Sequence, residues 1–354
     1  MSPSSLSRVR IVGSGLIGTS IGLALVQHGV AVQMVDSDPH SQALANDLVG
    51  GVEVADPQLV IFGVPTSRLP LVIKDEISIN PNSTFMDVGS VKNEVVLDVE
   101  TFSELSKRFV PTHPMAGREI GGAGSARADL FNGRSWILTP SQNLEQASKE
   151  IVLDLIQILG ATPIELSPVA HDQAVAKISH LPQITASLLA KQLTGTPTEW
   201  MELAGQGLRD TTRIAGSDEG LWKEIIYSNR DEIRGLLINL QNDLEAMIAS
   251  LNDPDKIAAL IAAGRVGKSA IPGKHGGVAR EYSYLPIVID DKPGQLGAIF
   301  NECAAMDVNV EDLIIEHSPG QLSALITLAL SQTDAEKLSA HLSSIGWNVH
   351  PIRK

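Results

Sequence analysis

Cysteine is almost absent from this chain. Cys303 is the single one in 354 residues, so no disulfide can close within the chain and a reducing compartment is expected. Aromatic residues are also scarce, at 4%, which leaves Ala, Val, Ile and Leu to build the cores. Basic residues are outnumbered, 27 Lys and Arg against 41 Asp and Glu, for a formal charge of −14. An acidic surface repels phosphate backbones, which argues against nucleic acid as a partner. An anionic ligand must then be held by a few local cations against the overall field. No uninterrupted apolar run reaches the length of a membrane span. The opening MSPSSLSRVRIVGSG has no apolar stretch ahead of the first strand pattern, so no signal peptide is expected. A cytoplasmic protein without membrane contact is the expectation.

Apolar material is sufficient for real cores: 43% hydrophobic residues and a mean hydropathy of +0.09. The length predicts two or three domains. Short apolar runs at 9–12, 30–35, 59–64, 84–88, 108–110 and 135–138 alternate with helical periodicity, as over 16–26, and a helix–strand unit follows at 151–166. This pattern predicts an α/β fold, a Rossmann-like doubly wound sheet over 1–168. From 169 to 263 Ala, Leu and Ile recur at helical spacing, predicting an all-helical domain of the kind that serves dimerisation and substrate closure. The stretch GRVGKSAIPGKHGGVAR is rich in glycine and basic residues, and 264–282 is expected to be a linker. The last unit, 283–354, reads strand 284–289, helix 295–306, strand 310–316, strand 322–330, helix 335–345, strand 347–352. That is a ferredoxin-like βαββαβ plan.

Gly13, Ser14, Gly15, Leu16, Ile17 and Gly18 form a GxGxxG that leaves a strand and opens a helix. The first glycine permits the tight turn, the second lets backbone approach a pyrophosphate, and the third lets helix and strand pack closely. The helix start adds its amides and positive dipole. Asp36 ends the second strand at the distance where a carboxylate accepts from ribose hydroxyls and repels a 2′-phosphate. Ser37-Asp38-Pro39-His40 supplies no Arg or Lys for that phosphate, so the expected cofactor is NAD, not NADP.

Further motifs follow in order: Asp87-Val88-Gly89-Ser90-Val91-Lys92, Thr112-His113-Pro114-Met115-Ala116-Gly117, Ser179-His180-Leu181-Pro182 and Arg209-Asp210-Thr211-Thr212-Arg213-Ile214-Ala215, then Trp222. Behind a Rossmann start, this ordered set resembles the prephenate/arogenate dehydrogenase family of tyrosine biosynthesis, over residues 9 to about 250. The resemblance implies an NAD-dependent oxidative decarboxylation of prephenate, with arogenate as the alternative substrate, and requires no metal. It implies that His113 contacts the substrate C4 hydroxyl as base and that the Ser90 hydroxyl orients it. It further implies that Arg213 clamps a carboxylate, and that His180 lies near the substrate side chain. Trp222 would form a pocket edge reached across a homodimer. An imidazole just past a strand end suits such a base at neutral pH, and a guanidinium matches carboxylate geometry. Ser90 is also placed to cap a helix through Ser-Val-Lys-Asn-Glu. Lys92 faces either substrate or solvent. Arg209 and Asp210 form either a surface ion pair or part of the site. An added acid near the substrate side chain would favour arogenate, and Glu199, Glu202 and Asp210 are the candidates. Other Rossmann dehydrogenases with a helical second domain share the glycine loop but lack the His-Pro-Met-Ala-Gly and Ser-His-Leu-Pro pair. A non-catalytic NAD sensor would not need His113, Ser90 and Arg213 together.

Asp290-Asp291-Lys292-Pro293-Gly294-Gln295-Leu296-Gly297, between the first strand and helix of the last unit, resembles an ACT domain. These domains pair and bind amino acids. The resemblance implies a regulatory site at Gly294, Gln295, Leu296 and Asn309, with tyrosine as feedback inhibitor; a pairing module without a ligand is the other reading.

Overall fold

The computed structural model describes residues 6–100, 104–118, 120–271, 282–317 and 322–353. It divides into two compact units, 1–242 and 243–354.

The first unit opens with β1 (Arg8–Val12), α1 (Leu16–Gln27), β2 (Ala31–Val35), α2 (Pro39–Val49), β3 (Leu59–Phe62), α3 (Leu69–Ile79), β4 (Thr84–Asp87), α4 (Asn93–Glu100), β5 (Phe109–Pro114), β6 (Ser135–Leu138), α5 (Gln146–Ile158) and β7 (Thr162–Glu165). The strands form one sheet in the order β2-β1-β3-β4-β5-β6-β7. Neighbours are parallel except β5 and β6, which are antiparallel. The connection from β2 to β3 crosses to the other side of β1. The strand order therefore reverses there, and a crevice opens at the carboxyl ends of β1 and β3.

Helices cover both faces, so β3 and β4 are buried at every position. Alternate residues feed opposite layers. Ile11 and Ile61 join the cluster that includes residues of α1, α2 and α5, while Val12 and Phe62 join one that includes residues of α3 and α4. Three phenylalanine rings meet in the second of these clusters: Phe62 stacks on Phe85 at 6.1 Å and on Phe109 at 6.2 Å. The sequence pattern ends the fifth strand near residue 110. In the structure it continues through Thr112, His113 and Pro114, because these pair with Leu138, Ile137 and Trp136 of β6. His113 thus lies inside a strand, not past its end.

Helices fill the rest of this unit: α6 (Pro168–Val175), a π-helical turn (Ala176–His180), α7 (Leu181–Lys191), α8 (Thr198–Met201), α9 (Gln206–Thr212), a 3₁₀ turn (Arg213–Gly216), α10 (Glu219–Ser228) and α11 (Arg230–Ser250), within which the division falls. Ser167 caps α6 through the Ala170 amide at 3.2 Å, and Asp218 caps α10 through Leu221 at 2.7 Å. The π turn stands just ahead of Pro182. Proline has no amide to give to residue 178, which breaks the regular ladder and lets one turn widen.

In the second unit, α12 spans Pro254–Ser269, with Asp253 accepting from the Lys256 amide at 3.2 Å. It runs through the first part of the expected linker. Gly264 and Gly267 each cost about 1 kcal/mol in a helix, too little to stop one that is capped, started by proline and rich in Ala, Leu and Ile. The remainder of that expectation, at 272–281, lies outside the described residues. Then come β8 (Ser283–Asp290), α13 (Gln295–Ala305), β9 (Asp312–His317), β10 (Ser323–Leu330), α14 (Gln332–Ser344) and β11 (Asn348–Val349). The βαββαβ order matches the pattern in the sequence, and the sheet is antiparallel in the order β11-β8-β10-β9. Its core includes Leu285, Ile287, Ile299, Ile326, Leu328, Leu338 and Leu342. β11 is shorter than expected; Pro351 has no amide to extend the ladder, and only an isolated bridge joins Tyr284 to Arg353. Among the described residues, no helix is long and apolar enough to cross a membrane.

Candidate active site

The glycine loop leaves β1 at the crevice. Gly13 has φ +111°, and a Cβ there would meet the Gly63 carbonyl oxygen at 2.4 Å; one on Gly18 would meet the Gly13 oxygen at 2.1 Å. These two glycines are required by the chain's own packing. Gly15 differs, since a Cβ there would meet nothing within 4 Å. Its small size serves the space outside the loop, where a phosphate would approach. The first turn of α1, beginning with half-buried Leu16 and Ile17, carries no acidic residue and no side-chain cap, so its amides and dipole remain available to an anion. The buried Ser14 Oγ has no hydrogen-bond partner. Asp36 directly follows β2, and its Oδ2 accepts from the Ser14 amide at 2.6 Å and its Oδ1 from Asp38 at 2.9 Å. The carboxylate is thereby fixed beside the loop. Open space at Gly15, uncapped amides and an adjacent acid together fit a dinucleotide.

The second cluster lies at the carboxyl ends of β4 and β5, on the same sheet edge. His113 is half-buried, and its Nδ1 lies 2.9 Å from Nε2 of fully buried His171, with the rings edge to face. His171 Nδ1 lies 2.7 Å from Asp172 Oδ1. The same carboxylate accepts the amides of Lys92 at 2.8 Å and Asn93 at 2.9 Å. Asp172, from α6, is therefore the cap of α4. The expectation that Ser90 caps this helix is corrected: a carboxylate accepts two amides at once and adds a full charge to the helix start. Ser90 stays half-buried beside Gly89. Lys92 does not face solvent. It is fully buried and its ammonium pairs with Asp87, which also accepts from the Gly89 amide at 2.9 Å and the Thr112 amide at 3.2 Å.

Burial pushes the His113 pKa well below its usual 6.5, and the electrostatics of its neighbours His171, Lys92 and His180 act in the same direction. Burial likewise lowers His180 to about 4, with Asp172 opposing. His180 ends the π turn, and its Nδ1 lies 3.1 Å from the Asn229 amide nitrogen, which also donates to the Asp172 carbonyl at 2.9 Å. Trp222 is half-buried edge-on to His180, with centroids 6.0 Å apart. One turn beyond His180, Gln183 donates to the Ile214 carbonyl at 2.9 Å and ties α7 to the 3₁₀ turn that begins at exposed Arg213. Asp210 is exposed and accepts from Gln206 at 2.7 Å. An ion pair with Arg209 is not formed, since adjacent helical residues diverge while i and i+4 meet.

The structure thus joins His113, His180 and Trp222 into one connected set, with the Arg213 turn tethered to it through Gln183. His171, Asp172, Gln183 and Asn229 belong to the set and were not singled out in the sequence. The adjacent His-Asp pair three residues into a helix was the available signal. Among the described residues, no group of three or more His, Cys, Asp and Glu side chains is placed to hold a metal ion. In the second unit, Gly294 (φ +91°) precedes α13, which starts at Gln295 and Leu296, and Asn309 donates to Glu311 at 2.8 Å.

A Rossmann-type sheet with a glycine loop, joined along a buried histidine line to a helical domain, defines a dinucleotide-binding oxidoreductase. The chain belongs to the prephenate dehydrogenase family: residues 21–165 match its nucleotide-binding domain and 167–261 its dimerization domain. The glycine loop lies just ahead of the first match. A probable prephenate dehydrogenase of Streptomyces niveus is 29% identical, covering 95% of this chain and 98% of that one. The prephenate dehydrogenase of Bacillus subtilis is 25% identical, covering 93% of each. The solved prephenate dehydrogenase of Aquifex aeolicus, in complex with hydroxyphenyl propionate and NAD+, superposes with a TM-score of 0.66 at 26% identity. It covers 75% of this chain and 99% of that one.

Proposed function

We propose that this chain oxidatively decarboxylates prephenate to 4-hydroxyphenylpyruvate with NAD, in tyrosine biosynthesis. The observation that carries this reading is His113, an imidazole held neutral on the sheet edge that also bears the glycine loop. NAD supplies the hydride acceptor for C4 of the substrate. Gly13, Gly15, Gly18 and the first amides of α1, at Leu16 and Ile17, hold its pyrophosphate. Asp36 accepts from the ribose hydroxyls and disfavours a 2′-phosphate. Ser90 hydrogen-bonds the C4 hydroxyl and His113 removes its proton. CO2 leaves C1 as the ring becomes aromatic, so alignment and one base suffice. Arg213 clamps a carboxylate of the dianion, with His180 and Trp222 at the substrate side chain and Asp210 at the rim.

We also read 1–168 as the cofactor domain, 169–263 as the substrate and dimerisation domain, and 283–354 as an ACT regulatory domain that binds tyrosine at Gly294, Gln295, Leu296 and Asn309. A homodimer is supported by the matched dimerization domain and by exposed Trp200, Leu203 and Tyr227, which are 68%, 82% and 68% accessible in the single chain. The test is NADH formation by the purified chain with prephenate or arogenate, and with NAD or NADP. Prephenate with NAD is expected to give the highest kcat/KM. A higher value with arogenate replaces the substrate, and a higher value with NADP removes the Asp36 assignment.

A further inference from the structure

We propose that His171 and Asp172 are positioning residues: they fix the tautomer of His113 so that its Nε2 carries the lone pair that takes the substrate proton. This inference rests on the reading of His113 as base. It is carried by a chain of polar contacts that runs from the Asp172 carboxylate through His171 to His113. Asp172 has Lys92 and Asn93 amides and His171 Nδ1 around its carboxylate, at 2.8, 2.9 and 2.7 Å. Two of these are backbone N–H donors, so the carboxylate acts as acceptor and His171 Nδ1 must carry a hydrogen. In the tautomer we assign, His171 keeps its lone pair on Nε2. That atom lies 2.9 Å from His113 Nδ1, which must donate. The remaining nitrogen of His113, Nε2, is left basic.

The inner part of the arrangement is buried. His171 is 0% and Asp172 3% exposed, so water does not compete for these bonds. The other charged groups around the cluster are engaged elsewhere: Lys92 pairs with Asp87, and His180 meets the Asn229 amide. As His113 takes up a proton, the Nδ1–H bond to His171 becomes charge-assisted and strengthens. The stabilisation is thus larger in the transition state than in the ground state, the condition for an effect on kcat. Asp172 also caps α4, so changing it mixes two roles. His171 caps nothing and is the residue to change.

The experiment uses the full-length chain with His171→Leu and His171→Gln. The Leu side chain cannot accept from His113 Nδ1. Gln can accept through Oε1. We expect His171→Leu to lower kcat by about 100-fold or more, with KM for prephenate little changed, and His171→Gln to recover most of the loss. The ¹⁵N shifts of labelled histidine, with His113 identified through His113→Asn, should show the Nδ1–H tautomer of His113 in the parent and the Gln variant, and its loss in the Leu variant. A Leu variant with parental kcat and tautomer overturns the inference. So does a Gln variant impaired as severely as Leu. Normal turnover by His113→Asn instead removes the base assignment, while the tautomer measurement, made without substrate, still decides what His171 does.

Discussion

A histidine that takes a proton at neutral pH must hold its lone pair ready, and His113 is kept that way first by burial and then by its neighbours His171, Lys92 and His180. The sign is definite. A folded pKa below 6.5 leaves the imidazole neutral throughout the neutral range, so the acid limb of kcat/KM should fall below pH 6.5. The same depression, shared by His180 at about 4, means that the unfolded chain binds protons the folded chain excludes. Stability is full above pH 6.5 and declines as pH falls toward the folded values. We predict that His113→Asn keeps KM but loses kcat by about 10²–10⁴-fold, and that its thermal midpoint declines less steeply below pH 6.5 than that of the parent. Near-parental kcat would remove the role. The sequence singles out His113, Ser90 and Arg213 because each stands in a short motif. His171 and Asp172 were not, because their partners lie 58 and 80 residues away in sequence. Only the fold brings an α6 carboxylate onto the start of α4.

At the scale of elements, that long-range cap separates two residues the sequence left entangled. Asp172→Ala exposes the Lys92 and Asn93 amides and should cost about 0.5–2 kcal/mol from the cap alone, read as a lowered midpoint in denaturant. Ser90→Ala should leave that midpoint unchanged while lowering kcat. If Ser90→Ala destabilises the chain as much as Asp172→Ala, the capping assignment is wrong. The strands were readable wherever burial on both faces demanded an unbroken apolar run, as in Leu59–Phe62. They were not readable where the partner strand decides the end. β5 continues because β6 returns antiparallel beside it, and nothing in Thr112-His113-Pro114 announces that. The π turn was likewise silent, since Pro182 acts on a ladder four residues back. These irregular pieces carry His113 and His180. The regular, legible elements therefore build the scaffold, and His113 and His180 sit where local pattern and tertiary pairing disagree.

For the whole molecule, the question is where an amino-acid effector acts. Tyrosine keeps the 4-hydroxyphenyl ring of the product, so the candidate active site is one place it would bind. The βαββαβ unit offers another, at the Gly294 turn and Asn309. The two predict different kinetics. Binding at the active site makes inhibition competitive with prephenate and indifferent to residue 309. Asn309 belongs to the second unit, with its amide on Glu311, and we expect Asn309→Ala in the full-length chain to leave kcat and KM unchanged. We predict that this variant raises the tyrosine concentration for half-inhibition by about tenfold, the equivalent of about 1.4 kcal/mol in binding. It should also weaken direct tyrosine binding by the same factor in a titration without prephenate, because the variant alters the effector's own proposed site. Unchanged inhibition, competitive with prephenate, would assign tyrosine to the active site and leave the C-terminal unit as a pairing module.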